Sequence, residues 1–382
     1  MFSDIRVLDE SGKPVSPSYL GPCVMHFRTD TKNCRSMCNA IRRIILSEVE
    51  TVAIPADGVV ILKNTTSLNN ELICHRLSLT FVHVLPEELK NWSGNGRYEF
   101  SIDVSNSGLD VKAVTSRDIK VIDSVNQSEA SAEVRDRLFP PNATSKHYVL
   151  LAYLRGHNSA DPGTDALHVK FTATRGTGRD GASWTPVSRC AIKNVVDDAA
   201  YELALLAEYG DSPSETDRRQ FSALDGLRRF KVDREDAGEP GEIEMTIHSE
   251  TSLHPAYLVS SALGVLIDKV KKMAKLDAST VTISRIGKAS NMYRVAVLNE
   301  DDTLGDVVQS MLFRHWRSGE SVTNIGYTVH HPLERVVVFN LKLADGETRD
   351  VKDVLSDGLD WVVADLTAKK AAWSSSSSLY TV

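Results

Sequence analysis

Near both ends of the chain the spacing of apolar residues changes in the same order, from period two to period 3.6 and back. Val24-Met25-His26-Phe27 alternates as a half-buried strand does, and then Cys34, Met37, Cys38, Ile41, Ile44 and Ile45 recur at helical spacing. Tyr293-Arg294-Val295-Ala296-Val297-Leu298 alternates again, followed by Leu304, Val307, Val308, Met311 and Leu312. Each unit closes on a long amphipathic helix. One, over 254–273, carries Leu258, Ala262, Val265, Leu266, Val270 and Met273; the other, over about 351–371, carries Val354, Leu355, Leu359, Val362, Val363 and Leu366. A helix with a single apolar stripe must cover it. The pattern predicts an α+β fold in which the two long helices form an intramolecular pseudo-dimer. Leu258, Ala262, Val265 and Leu266 are expected to meet Leu355, Leu359, Val362 and Leu366 in its core.

Local signals set the boundaries. Asp30 or Thr31 can cap the first helix, Pro255 suits the first turn of the 254–273 helix, and Asp301 or Asp302 can cap the helix after the 293–298 strand. Alternation at 59–62, 98–104, 119–122, 149–154 and 168–173, with a short helix from Asn70 to about Leu79, marks 54–187 as an α+β insertion. The first dimerisation unit is then discontinuous, 1–53 and 188–276, and the second spans 291–373. Residues 277–290 read as a linker and the Ser-rich 374–382 as a disordered tail. Residues 123–137 read as a loop or a marginal helix. No element is assigned across 197–240, and Asp233 to Gly241 reads as a loop.

Composition excludes several classes. Of 382 residues 42% are apolar and 25% charged, ordinary values for a chain with a packed core. Lys and Arg number 44 against 51 Asp and Glu, a net charge of −7, so the basic footprint of a nucleic-acid binder is absent and no direct nucleic-acid contact is expected. No apolar run approaches the ~20 residues of a membrane span, and the start of the sequence lacks a signal-peptide pattern. Five sparsely placed cysteines do not form a disulfide framework, which points to a reducing compartment.

Three motifs suggest chemistry and each has a plainer explanation. The stretch 175–181 contains G-x-G-x-x-G, but a dinucleotide site needs a helix next, and Ala182-Ser183-Trp184-Thr185-Pro186 starts one poorly. Cys23-x2-His26 with Cys34-x3-Cys38 offers zinc-type ligands, yet Cys34 and Cys38 lie on an apolar helical stripe, where free cysteine packs as a small hydrophobe. Glu71 and His75 share a helix face without a third group, the spacing of a surface ion pair. The polar face of the first helix carries Arg35, Asn39, Arg42 and Arg43. Such an arginine-rich face suits either solvent or a partner protein. No catalytic residue, cofactor or metal is expected.

Taken together, Asn39 through Ile54, Asn64-Thr65-Thr66, Glu71, His75-Arg76-Leu77 and 114–119 resemble the alpha-like subunit of multisubunit DNA-directed RNA polymerases. The loop at 175–187 is similar to the G-x-G-K-x-H-A-K-W-S-P-V segment of that family. Asn299 through Asp306 and 326–334 are similar to the E-D-H-T-L-G-N and G-Y-x-x-P-H-P-L-E runs of the small eleventh subunit. Asp302, Asp306 and Ser78 depart from the family pattern, and the Cys cluster of the eukaryotic third subunit is absent between Cys74 and Cys190.

The resemblance implies both alpha-like partners fused in one chain with the RNA polymerase alpha-like dimerisation fold. It implies a non-catalytic assembly platform for the largest and second-largest polymerase subunits and small adaptor subunits, and no homo-oligomer. Arg35, Asn39, Arg42, Arg43, Glu71, His75 and Arg76 are its expected contacts with the second-largest subunit. Such a fusion is similar to what large DNA viruses encode, which places the protein in the virion and infected-cell cytoplasm; a cellular origin places it in the nucleus. Two other readings stand beside this one: a nucleotide-binding enzyme using the 176–181 loop, and a repurposed pair that regulates transcription outside the polymerase.

Overall fold

The computed structural model describes residues 2–9, 11–16, 19, 21–30, 34–92, 97–143, 145–157, 163–233, 239–287, 291–317, 321–331 and 333–377. The chain opens with strands β1 (Phe2–Asp9) and β2 (Cys23–Thr29), followed by helix α1 (Cys34–Ser47) and strand β3 (Glu50–Ala53). The Asp9 carboxylate accepts from the backbone N–H groups of Ser11 (2.8 Å) and Lys13 (2.9 Å), fixing the turn after β1. Of the two caps expected for α1, Thr31 lies outside the described residues.

The insertion comes next: β4 (Val59–Asn64), α2 (Asn70–Ser78), α3 (Pro86–Asn91), β5 (Tyr98–Asn106), β6 (Lys112–Thr115), β7 (Ile119–Asp123), β8 (Ser128–Glu129), α4 (Ala132–Leu138), β9 (Leu150–Leu154), β10 (Asp165–Thr172) and β11 (Thr174–Thr177). Its main sheet has the order β4-β10-β5-β7-β8, beside a β6-β9 pair. Strands β3 and β11 pair antiparallel, Ala53 opposite Thr174, so one ribbon carries the chain both into and out of the insertion. In the 123–137 stretch the helical alternative holds from Ala132 onward, in α4, and β8 precedes it.

The first unit resumes with β12 (Val187–Asn194), α5 (Asp198–Tyr209), α6 (Glu215–Leu224), β13 (Ile243–Ser249) and α7 (Pro255–Ala274). The second comprises β14 (Val281–Arg285), β15 (Met292–Leu298), α8 (Asp302–His315), β16 (Val322–Val329), β17 (Val336–Leu343) and α9 (Val351–Ser376). The two sheets have the orders β1-β2-β13-β12 and β14-β15-β17-β16. Matched in chain order, β1, β2, α1, β12, β13 and α7 correspond to β14, β15, α8, β16, β17 and α9. The same topology occurs twice, which is the internal repeat that the periodicity announces.

Strand β14 corrects the reading of 277–290 as a linker. It pairs with β15, Val281 opposite Val297 and Ile283 opposite Val295, and is the counterpart of β1. Only residues 275–280 separate α7 from β14, and 288–290 lie outside the described residues. Residues 197–240 also hold more than a loop. The helices α5 and α6 are capped by Asp197 and Ser214, whose side chains accept from Ala200 N–H and Asp217 N–H. They escape periodicity because each buries a single residue, Leu205 and Phe221. In the segment 233–241 only 234–238 lie outside the described residues.

Helices α7 and α9 pack on each other. Leu258, Ala262, Leu266, Leu355, Leu359, Val362 and Leu366 are all buried, as expected of the pseudo-dimer core. Val265 is the exception: it turns to a groove beside Tyr257 and Ser261 and is only half-buried. The tail reading is also corrected. Helix α9 runs through Ser376, Ser377 is buried, and Trp373 is fully enclosed against Phe27 (ring centroids 4.7 Å) and Phe2 (5.1 Å), its indole N–H donating to Ala256 C=O at 3.0 Å. A ring this large, wholly buried, holds the end of the helix in place. Residues 378–382 lie outside the described residues.

Candidate functional site

One cluster of polar residues that joins the two halves lies where the C-terminal part of α1 meets the N-terminal turn of α8; a separate pair, Arg314 with Asp233 at 3.0 Å, joins them elsewhere. Arg43 Nε donates to Thr303 Oγ1 at 2.7 Å, and its guanidinium stands 3.9 Å from Asp301. Asp301 caps α8, accepting from Thr303 N–H at 2.9 Å. Burial pushes the Asp301 carboxyl up, but the Thr303 hydrogen bonds and the Arg179 and Arg43 cations outweigh it and leave it below the ordinary value. Beside it Lys269, from α7, lies 2.9 Å from Glu48 and 2.7 Å from Glu300. All three side chains are nearly buried. At Glu300 burial prevails over the lysine and the carboxyl is raised.

The glycine loop completes this cluster. Arg179 lies 2.6 Å from Glu48 and 2.8 Å from Asp301, and its backbone N–H donates to Ser47 C=O at 3.0 Å. A Cβ on Gly178 would stand 2.1 Å from Leu46 O, so only glycine lets the loop lie this close to the end of α1. The Asp180 carboxylate accepts from Thr177 N–H at 2.8 Å and closes the turn. The loop leads into one short helical turn, Ala182–Trp184, without the helix N-terminus that a pyrophosphate needs. The G-x-G-x-x-G segment is thus a clasp between insertion, α1 and α8. Sequence reasoning alone assigns no site role to Arg179, Glu48, Lys269, Glu300 or Asp301. The one available signal is a cation in the middle of a glycine loop.

The residues expected at a partner interface fall into two groups. On α1, Arg42 donates to Asn39 Oδ1 through Nε (3.2 Å) and Nη2 (2.8 Å), which holds the guanidinium flat on the helix. Arg35 is exposed and lines a cavity of about 680 Å³ together with Asn39, Asp306 and Arg314. Arg43, by contrast, is engaged within the chain, because the second half supplies acceptors at the end of α1. On α2, Glu71, His75 and Arg76 are exposed. Arg76 Nη1 donates to Leu151 C=O at 3.0 Å, and among the described residues no ion pair joins Glu71 to His75. No hydrogen bond or ion pair ties the α1 group to the α2 group among the described residues.

Cys23, Cys34, Cys38 and Cys190 are buried, and burial pushes the Cys23 and Cys190 thiols up to about 12. Burial thus favours the neutral thiol at both. Cys34 Sγ donates to Pro240 C=O, and His26 Nδ1 bonds Thr246 Oγ1, each at 3.0 Å. Among the described residues no group of three or more His, Cys, Asp or Glu could hold a metal ion, and no helix is long and apolar enough to cross a membrane.

The repeat in the fold agrees with comparison to known families. The profile described as the RNA polymerase Rpb3/Rpb11 dimerisation domain matches residues 35–270, and a second profile of the same description matches residues 293–370. The chain belongs to the RNA polymerase Rpb3/Rpb11 dimerisation-domain family. Its two matched segments contain nearly all of α1 with most of α7, and α8 with most of α9, so both Rpb3/Rpb11-type units lie in one polypeptide. Similar curated proteins include the conjugation stage-specific protein of Tetrahymena thermophila, 30% identical over 172 residues, covering 41% of this chain and 52% of the relative. Subunit 3 of DNA-directed RNA polymerases II, IV and V of Arabidopsis thaliana is 31% identical over 171 residues, covering 40% and 48%. Subunit RPAC1 of DNA-directed RNA polymerases I and III of Bos taurus is 27% identical over 179 residues, covering 42% and 49%. The chain spans about half the length of the curated relatives it matches.

Proposed function

We propose that this chain is the non-catalytic assembly platform of a multisubunit DNA-directed RNA polymerase, combining both alpha-like partners. The observation that carries the reading is the twice-repeated topology closed by the α7–α9 pair, which makes the chain its own dimer. Joining the halves replaces a bimolecular step with an intramolecular one, at an effective concentration of mM order for a short flexible connection. Stoichiometry is then fixed at one to one. In this reading 1–53 with 188–276 form one dimerisation unit, 291–373 together with β14 the other, and 54–187 the insertion.

Arg35, Asn39 and Arg42 on α1, with Glu71, His75 and Arg76 on α2, face the second-largest subunit; other surfaces take the largest subunit and small adaptors. The Asn39–Arg42 pair supports this, because a guanidinium already held in one geometry loses less entropy on docking. A fused chain of this kind fits a large DNA virus, with the protein in the virion and infected-cell cytoplasm; a cellular chain works in the nucleus.

The test is to tag the chain in its native source, purify it in mild salt and identify its companions by mass spectrometry. Two very large subunits at one copy each are expected, and Arg42→Glu, folded by circular dichroism, is expected to lose the second-largest. A clean monomer without large partners overturns the platform reading. Undiminished recovery with Arg42→Glu overturns the placement of the contact.

A further inference from the structure

The inner face of the first sheet is apolar and covered by helices; its outer face carries cations, partly balanced by Asp4, Glu244 and Glu250. Cys23, Met25 and Phe27 of β2 and Ile243, Met245 and Ile247 of β13 are buried. The residues that alternate with them point outward. Register places them in rows across the sheet: Leu8, Val24, His248 and Arg189; Arg6, His26, Thr246 and Ala191; then Arg28, Glu244 and Lys193. Four cations thus share one face of a chain whose net charge is −7.

Two of the four are already engaged. Glu244 takes Arg28 at 3.4 Å and Lys193 at 2.9 Å, and Arg28 also reaches Asp4 at 3.5 Å. Arg6 and Arg189 make no ion pair among the described residues and are exposed. They flank His26 and His248 on that face from the two edge strands, Arg6 on β1 and Arg189 on β12. Both imidazoles sit below their ordinary pKa, first through partial burial and then through neighbouring cations: Arg6, Lys193 and Arg189 at His26, and Arg189 at His248. Glu244 beside His26 and Glu250 beside His248 act in the opposite sense.

The matching central row of the second sheet is Thr282, Ala296, Val338 and Thr328, with no charge, while Arg294 and Lys342 lie further along the same face. A central row of this fold is thus built without the counterparts of Arg6 and His26.

We propose that this outer face docks an acidic segment of a partner protein, its carboxylates seated on Arg6 and Arg189 across the His26–His248 pair. Charge complementarity identifies the occupant. An acidic peptide suits the face better than a nucleic acid, because Glu244 and Glu250 interrupt the cations. Separate side-chain carboxylates can be spaced around those acids, whereas a continuous phosphate backbone must cross them. A carboxylate seated over the imidazoles favours their protonated form, so docking takes up protons and strengthens as pH falls. The face adjoins the α1 surface, since Arg35 shares a groove with Arg28, Lys193 and Glu244, but Arg6 and Arg189 belong to neither α1 nor α2, so a test on those two arginines stands or falls separately from the platform reading.

The probe is fluorescein-labelled decaglutamate, titrated with the full chain by fluorescence anisotropy at low salt. Because the whole chain is acidic, binding reports the local face. We expect affinity to fall about tenfold in Arg6→Glu/Arg189→Glu and to change less than about twofold in Arg294→Glu, on the outer face of the second sheet. Between about pH 7.5 and about pH 6 the wild type should bind about threefold more tightly. Arg6→Gln/Arg189→Gln, checked for native circular dichroism, replaces the charge-reversal pair should that variant not fold. No binding, binding unchanged in the double variant, or displacement of the peptide by a decathymidylate that binds more tightly through the same arginines overturns the proposal.

Discussion

The Arg179 guanidinium lies 2.8 Å from the Asp301 carboxylate, so a loop of the insertion grips the first turn of a helix in the opposite half. The same guanidinium holds Glu48 at 2.6 Å. A double-mutant cycle between Arg179→Ala and Asp301→Asn should give a coupling of about 1 kcal/mol in urea unfolding, modest because both groups keep some solvent contact. The coupling should shrink as salt is added. Zero coupling at low salt would show that the clasp does not hold the halves.

Lys269 is the cation that lies between Glu48 and Glu300 in the nearly buried part of the seam. Lys269→Met leaves two carboxylates facing each other and should cost about 3 kcal/mol near neutral pH. The sign of the pH dependence comes from Glu300, whose folded pKa is raised. A carboxyl of that kind favours the folded state at acid pH, and the favour is lost as pH rises through its folded pKa. The deficit of Lys269→Met relative to wild type should therefore narrow on acidification. A deficit that widens would contradict the assignment.

Gly178→Ala places a methyl group against Leu46 O and should destabilise the chain by about 1–3 kcal/mol. Calorimetric titration of the wild type with ATP or NAD should give no saturable heat, since no helix N-terminus succeeds the loop. Saturable binding that disappears in Gly178→Ala, with little change in stability, would restore the nucleotide reading.

His83 connects the insertion to the first unit, its Nδ1 lying 3.2 Å from Ser252 Oγ. Burial holds its pKa at about 4, against about 6.5 in an unfolded chain. The folded state thus refuses a proton that the unfolded state accepts. The stability this confers is complete above about pH 6.5 and is lost as pH falls towards 4. His83→Gln should remove about 3 kcal/mol of that acid-side loss. Urea unfolding of both proteins across this range provides the check, and parallel curves would refute it. His254, also lowered to about 4 by burial, contributes a similar slope in both.

The periodic elements are legible in the sequence because their apolar faces are dense. Helix α1 buries Met37, Cys38, Ile41, Ile44 and Ile45, and its spacing is visible without any partner. Strand β14 is not legible, because only Val281 is buried in it and polar residues surround it. Trp373 escapes for a different reason: it lies beyond the last regular apolar repeat and is buried by Phe2 and Phe27 from the far end of the chain. The same limit governs the site. Asn39 and Arg42 bond within one helical turn and can be read locally. The destination of Arg43 cannot, since Thr303 is 260 residues away and is brought near only by the pairing of the halves.

Phe2, at the start of β1, meets Trp373 near the end of α9 edge-on, their ring centroids 5.1 Å apart. Two side chains 371 residues apart are neighbours, so the path of the polypeptide between them is nearly a ring. A circularly permuted gene that bridges this junction and opens the ring within 275–280 specifies the same contacts with the halves in reverse order. Such a permutant is expected to fold to the same contacts with the order in which the halves leave the ribosome reversed.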